Sequence, residues 1–160
     1  MFEEARRLAT PQVIAVCASG GGIPKLPLRR ANVTTGGIEG DAHAHDKHNR
    51  PDRAICLFDL ELLNDLVAEG FPLRPGSAGE NLTVAGLHVQ SLPRGTRLRI
   101  GEVVLQLEEP RKPCYVLDAI DERLKDALVG RCGYMASVIQ PGVLYPAMEI
   151  EVTDPSSARP

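Results

Sequence analysis

The apolar runs of this chain are of strand length, and 15 glycines and 13 prolines punctuate its 160 residues. A backbone interrupted that often cannot build long helices and must reverse direction every few residues. Gln12–Ala18 is a continuous apolar run stopped by Ser19-Gly20-Gly21-Gly22, and residues 53–58 form a second run rich in Ile, Leu and Phe. Residues 82–84, 97–100 and 103–108 read as further strands, with Gly101-Glu102 as the turn of a hairpin. Residues 134–140 and 147–153 close the series. Two helices are predicted. One starts at the N-cap candidate Asp59 and runs to Gly70; the other runs from Asp118 or Asp121 to Leu128, with Gly130 as its stop. The pattern predicts a mainly β fold: a closed or nearly closed β-barrel of short strands with about two flanking α-helices. One domain over residues 12–153 is expected, with an N-terminal extension at 1–11 and a flexible polar tail at 154–160.

Composition narrows the function. The formal charge is -3, with no Trp and only three Tyr and three Phe, which argues against nucleic-acid binding through a cationic groove or stacking rings. No apolar run approaches the roughly 18 residues that span a bilayer, so no membrane association is expected. Residues 1–10 are charged and lack a signal-peptide core. The four cysteines are scattered, with no C-x-x-C pair. A cytoplasmic, reducing setting follows as the expectation.

Two cysteines, Cys17 and Cys56, sit inside apolar strand runs and read as small buried hydrophobes. Cys114 is different. It ends Glu109-Pro110-Arg111-Lys112-Pro113-Cys114, behind two cations that lower the cost of a thiolate. The two prolines keep the segment extended, so the thiol belongs on a rigid loop. Cys132, in Gly130-Arg131-Cys132-Gly133-Tyr134, is either a resolving partner for it or a spectator.

Two more clusters join these loops: residues 36–48, which contain Asp41, His43, His45, Asp46 and His48, and residues 75–82, which contain Gly79-Glu80-Asn81. Each mixes glycine with groups that bind anions, protons or metals. Together they suggest a site gathered from several loops at one end of a barrel; strand-connecting turns are also simply made of these residues. His43, His45 and His48 beside Asp41 and Asp46 suit Zn or Fe, or form an ordinary solvated loop. Lys25 follows a triple glycine as a surface residue or a phosphate anchor, and Arg53 pairs with Asp52 or serves the site. Glu80 and Asn81 cap local backbone or touch a ligand.

The ordered motifs G-x-x-G-D-x-H, P-D-R-A, P-G-x-x-G-E-N-L, I-G-E-V-V-L, P-R-x-P-C and G-R-x-G-Y resemble the MOSC domain family, the C-terminal domains of molybdenum cofactor sulfurases and their free-standing relatives. The resemblance spans residues 12–152 and implies a β-barrel with short flanking helices. It implies that Cys114 carries a persulfide or ligates molybdenum of a molybdopterin, and that some members reduce N-hydroxylated substrates. On that reading Arg111, Arg131, Lys25 and Arg53 bind the cofactor's anionic groups. Asp41 and His43 deliver protons, and Glu80 and Asn81 hydrogen-bond the pterin or the small-molecule substrate. Ala42 stands where many relatives have a basic residue. The 160 residues hold no desulfurase, flavin or iron–sulfur module and no preceding barrel. The implied partners are therefore a separate sulfur donor, such as a cysteine desulfurase, or an electron-transfer protein. Two alternatives of other classes remain: a non-catalytic sulfur carrier or cofactor-delivery module, and a Zn- or Fe-dependent lyase or hydrolase on His43, His45 and His48.

Overall fold

The computed structural model describes residues 10–42 and 51–153. The strands are β1 (Gln12–Ala18), β2 (Leu26–Leu28), β3 (Ala31–Thr34), β4 (Gly37–Ile38), β5 (Ile55–Asp59), β6 (Leu82–Ala85), β7 (Arg97–Ile100), β8 (Val103–Pro110), β9 (Tyr134–Gln140), β10 (Gly142–Leu144) and β11 (Glu151–Thr153). Eight of them form one sheet in the order β11-β7-β8-β9-β5-β6-β1-β2, while β10-β3-β4 form a second. Only β5 and β6 run parallel among the paired strands described. The α-helix between them, α1 (Leu60–Ala68), supplies the crossover that a parallel pair needs.

The sheet curls until its flanks meet. Val13 N donates to Met148 O at 2.9 Å, Ala147 N to Val13 O at 2.7 Å, and Ile150 N to Pro11 O at 2.8 Å. The segment entering β11 is thereby tied to the start of β1, and the barrel is nearly closed. These bonds are also why 147–153 is not one strand: its first part serves β1 and only Glu151–Thr153 pairs with β7.

Strand alternation builds two cores from the two faces of that sheet. Val16, Ile55, Leu57, Leu82, Leu105 and Ala136 point inward, and β3, β4 and β10 add Val33, Ile38 and Leu144 to the same cluster. Each fully buried aliphatic side chain contributes about 1.5–3 kcal/mol. Phe58 points the other way. Outside the barrel it meets Leu63 and Leu66 of α1, together with Leu117, Leu124 and Leu128.

Several expectations change here. Residues 51–53 form a 3-10 turn, so β5 begins at Ile55. Asp59 holds the N-cap position of α1 without a side-chain cap; its carboxylate accepts Val89 N at 2.7 Å and Gln90 N at 3.0 Å instead. The second helix breaks into a 3-10 turn (Tyr115–Ala119) and a short α2 (Leu124–Ala127). Between them Asp121 bonds the backbone and guanidinium of Arg123, a local side-chain bond that competes with helix continuation. The apolar stripe of Ile120, Leu124 and Leu128 still packs on one cluster. The short strands β2, β3, β4 and β10 carry no apolar run that announces them. Among the described residues no helix is long and apolar enough to cross a membrane.

Gly133, just before β9, shows how closely that strand's entry approaches β5. Its φ is +90°, and a Cβ there would strike the Leu57 carbonyl oxygen. Gly133→Ala is expected to cost at least about 2 kcal/mol through combined steric and backbone strain. Urea denaturation monitored by far-UV circular dichroism reads that loss; an unchanged midpoint would contradict this packing.

Candidate functional site

The face of β5 that carries Phe58 also carries Cys56, because the two are separated by one residue of a strand. Met135 of β9 is the register partner of Cys56, and both line a cavity of about 120 Å³. That cavity therefore lies on the outer face of the sheet. Its walls come from four connections: Gly22 to Lys25 after β1, Ala42 after β4, Gly79 to Asn81 before β6, and Arg111 to Val116 after β8. Three of the four expected loops contribute lining residues, and the loop 130–134 contributes none. The three gather against the outside of the barrel, because the inside is filled by apolar side chains.

Asn81 is the mechanical node. Its backbone N–H donates to Cys56 O at 2.9 Å and its carbonyl accepts Cys17 N at 2.7 Å. Its side chain repeats the bridge: Oδ1 accepts Cys56 N at 2.9 Å, and Nδ2 donates to Cys17 O at 3.2 Å and to Asp41 Oδ2 at 2.9 Å. Asp41 is saturated with donors. Lys25 Nζ reaches both of its oxygens at 2.8 and 2.7 Å, and Ser19 N donates to Oδ1 at 3.0 Å. Both charged side chains are buried, 8% and 3% exposed, so this is a bracing ion pair held by further hydrogen bonds rather than a surface contact.

Arg111 stands differently. Its N–H donates to Gly133 O at 2.9 Å, extending the β8–β9 ladder past Pro110. Its guanidinium lies beside Gly79, where a Cβ would come within 3.4 Å of Nη2 and 3.0 Å of Ile23 Cγ2. Gly79, at φ +94°, serves the backbone conformation here, and an added Cβ would press on Ile23. Nη1 is buried and has no hydrogen-bond partner. Burial opposes the cation, but its acidic neighbours, Cys56 first, hold its pKa above the ordinary arginine value. Arg53 also lines the cavity, but Glu109 Oε1 neutralises it at 3.0 Å. Lys112 is exposed at the mouth.

The site residues expected from the sequence separate into groups. Cys114, Lys25, Arg53, Asn81 and Arg111 converge on the cavity, and Asp41 braces Lys25 from behind. Glu80 does not reach it. It is fully buried, receives the Thr83 hydroxyl on Oε2 at 3.1 Å, and leaves Oε1 without a partner of good geometry. Arg131 lies apart: its guanidinium grips Glu69 at 2.6 and 2.9 Å and the Ala127 carbonyl at 2.9 Å. His43, His45 and His48 fall outside the described residues, and among the described ones no three His, Cys, Asp or Glu side chains converge as a metal site. Cys132 is sealed in the outer apolar cluster, where burial pushes its thiol up to about 11. Cys56 is the residue that sequence reading missed. The signal was present: Ile55 and Leu57 both face the core, so period-two alternation sends Cys56 to the other side.

The family model for the MOSC domain matches residues 43–155. The chain belongs to the MOSC domain family. YflK of Bacillus subtilis is 32% identical over 140 residues, covering 82% of this chain and 62% of YflK. YiiM of Escherichia coli is 36% identical over 116 residues, covering 66% of this chain and 51% of YiiM. The crystal structure of that YiiM superposes with a TM-score of 0.69 at 27% identity, over 89% of this chain and 70% of its own. A Gibberella moniliformis protein called a reductase is 30% identical over 116 residues, which is 66% of this chain and 20% of that protein. This MOSC chain thus spans between about half and two thirds of YflK and YiiM, and a fifth of the reductase.

Two outcomes are expected from this geometry. Asn81→Ala strips partners from Cys56 N, Cys17 O and Asp41 at once and should cost about 3 kcal/mol or more at a few kcal/mol per buried orphan, read as a lowered denaturation midpoint. Glu80 gives a pH signature. Burial raises its pKa above the ordinary 4.5, against the pull of backbone N–H groups and Arg111. Between 4.5 and the raised value the folded chain keeps a proton that the unfolded chain has released, so stability falls as pH rises through that window. Glu80→Gln should abolish this fall in a series of melts from acid to neutral pH; an unaltered slope would refute the assignment.

Proposed function

We propose that this MOSC chain handles the molybdenum cofactor, or the sulfur attached to it, at Cys114. The observation that carries this reading is the meeting, in one cavity, of a partly exposed thiol with two cations to which no carboxylate among the described residues is bonded. Lys25 and Arg53 are neutralised by Asp41 and Glu109, which leaves Arg111 and Lys112 to meet the anionic groups of a ligand. The orphaned Arg111 Nη1 is the atom that a phosphate oxygen or a dithiolene sulfur would satisfy, since an unpaired buried donor is costly. A cysteine thiolate is a soft ligand suited to such a metal.

The cavity, at about 120 Å³, is smaller than the roughly 300–1,000 Å³ of sites that enclose a drug-sized molecule. Its capacity suits the reacting end of the cofactor rather than the whole. When bound, the cofactor would supply redox chemistry of the kind by which family members reduce N-hydroxylated substrates, and the name of the fungal relative supports a reductive activity. Electrons would come from a separate donor protein. In this arrangement Arg111 and Lys112 bind charge, Cys114 presents sulfur, and the Asp41–Lys25–Asn81 node keeps the walls fixed.

A second reading, as a persulfide carrier that delivers sulfur to a partner, is favoured by one specific feature. A second thiol, Cys56, lines the same cavity, and sulfur exchange needs thiols that can meet. Four free cysteines suit either reading in a reducing compartment.

Protein purified anaerobically from cells making molybdopterin is expected to hold stoichiometric molybdenum by elemental analysis, and Cys114→Ser to lose it. Arg111→Ala removes a charged hydrogen bond worth about 1.5–3 kcal/mol, a roughly tenfold to hundredfold loss of cofactor affinity. Metal-free protein that refuses molybdopterin would overturn the cofactor reading.

A further inference from the structure

Arg111 lines the same cavity as two of the four cysteines, Cys56 and Cys114. The charge of Arg111 acts on Cys56, Cys132 and Cys114 together. Only two of those three share open space: Cys56 and Cys114 line the cavity, and Cys132, 0% exposed, is packed among Phe58, Leu117 and Leu124. Cys56 is also held in a fixed position, with its N–H on Asn81 Oδ1 and its carbonyl on Asn81 N, both at 2.9 Å. Cys114 opens the 3-10 turn Tyr115–Ala119 at the end of the loop that carries Arg111.

We propose that Cys56 is a second working thiol of this site, which discharges sulfur carried on Cys114 by forming a Cys56–Cys114 disulfide. This rests on the sulfur-carrier reading above. In the step, Cys56 sulfur attacks Sγ of the Cys114 persulfide, the bond from Sγ to the terminal sulfur breaks, and that sulfur leaves as hydrosulfide. The terminal sulfur gains two electrons and the two cysteines lose two, so no outside oxidant enters. A dithiol reductant then resets the pair. Arg111 is the group that stabilises the charge passing between sulfurs, and its partnerless Nη1 is free to face the leaving hydrosulfide. Burial pushes the Cys56 thiol up while Arg111 pulls it back; the proton Cys56 holds at rest is the one that hydrosulfide takes away.

The geometry also explains the choice of Cys56 over the residue that the sequence suggests. Cys132 lies in the glycine-flanked loop and reads as the natural resolving partner. The structure places it in the outer hydrocarbon cluster, whereas the strand residue Cys56 opens onto the cavity floor.

The test uses the full chain, reduced, freed of reductant under anaerobic conditions, loaded with inorganic tetrasulfide and desalted. Sulfide release is followed with time, alongside non-reducing intact mass and peptide mapping. Wild type is expected to lose the sulfur increment, release sulfide and yield a peptide linking Cys56 to Cys114. Cys56→Ala should retain the increment on Cys114, with release slowed about tenfold or more once the attacking thiol is gone. Cys132→Ala should behave as wild type. Cys56→Ser, with a matching melt, guards against misfolding of the alanine variant. Wild type that keeps its persulfide as long as Cys56→Ala does, or that links Cys114 to Cys132, overturns the inference and leaves the carrier reading standing. Failure of Cys114 to accept sulfur in Cys56→Ala sinks the carrier reading itself, and this inference with it.

Discussion

The whole arrangement hangs on Asn81, because the side chain and backbone of this one residue join β1, β5 and the loop bearing Asp41. Where β6 is about to begin, the backbone of Asn81 already bonds Cys17 on one side and Cys56 on the other. The carboxamide then bonds the same two residues a second time and adds Asp41. A carboxamide supplies the two N–H donors and the carbonyl acceptor that these three bonds use. A carboxylate would face the Cys17 carbonyl and Asp41 with no proton to give. The strand register, the Asp41–Lys25 pair and the cavity floor at Cys56 therefore share a single fastening.

Charge around the cavity is divided between scaffold and function. Lys25 and Arg53 carry carboxylate partners and contribute stiffness more than potential. Arg111 and Lys112 carry none that is bonded, so the positive field of the cavity comes from the two residues just before Cys114. Glu80 sits beneath Arg111, fully buried, and burial raises its pKa. In this low-dielectric setting a single unpaired cation matters more than several exposed ones.

The MOSC fold was legible in those segments where local pattern and global structure agree. The runs at Gln12–Ala18 and 134–140, the hairpin at Gly101 and the first helix carry their own periodicity and stop signals, and the structure uses all of them. The strands β2, β3, β4 and β10 were not legible. They are two to four residues long and exist because neighbouring backbone offers hydrogen bonds, not because their residues prefer extension. The second helix was overcalled for the opposite reason: its stripe is real, but Asp121 and Arg123 satisfy each other locally and the backbone breaks between two short turns.

By itself, the sequence determined the strand-rich class, the family motifs and the reactive neighbourhood of Cys114, since these depend on residues adjacent in the chain. Only the tertiary structure decided which distant groups face that sulfur. It withdrew Arg131 to Glu69 and buried Glu80 and Cys132, and it turned Cys56 outward onto the cavity floor. The physical reason is that a curled sheet has two faces and its interior is fully taken by hydrocarbon. Polar loops can then converge only on the outside, and which loops meet there is set by strand order, which no local spacing encodes.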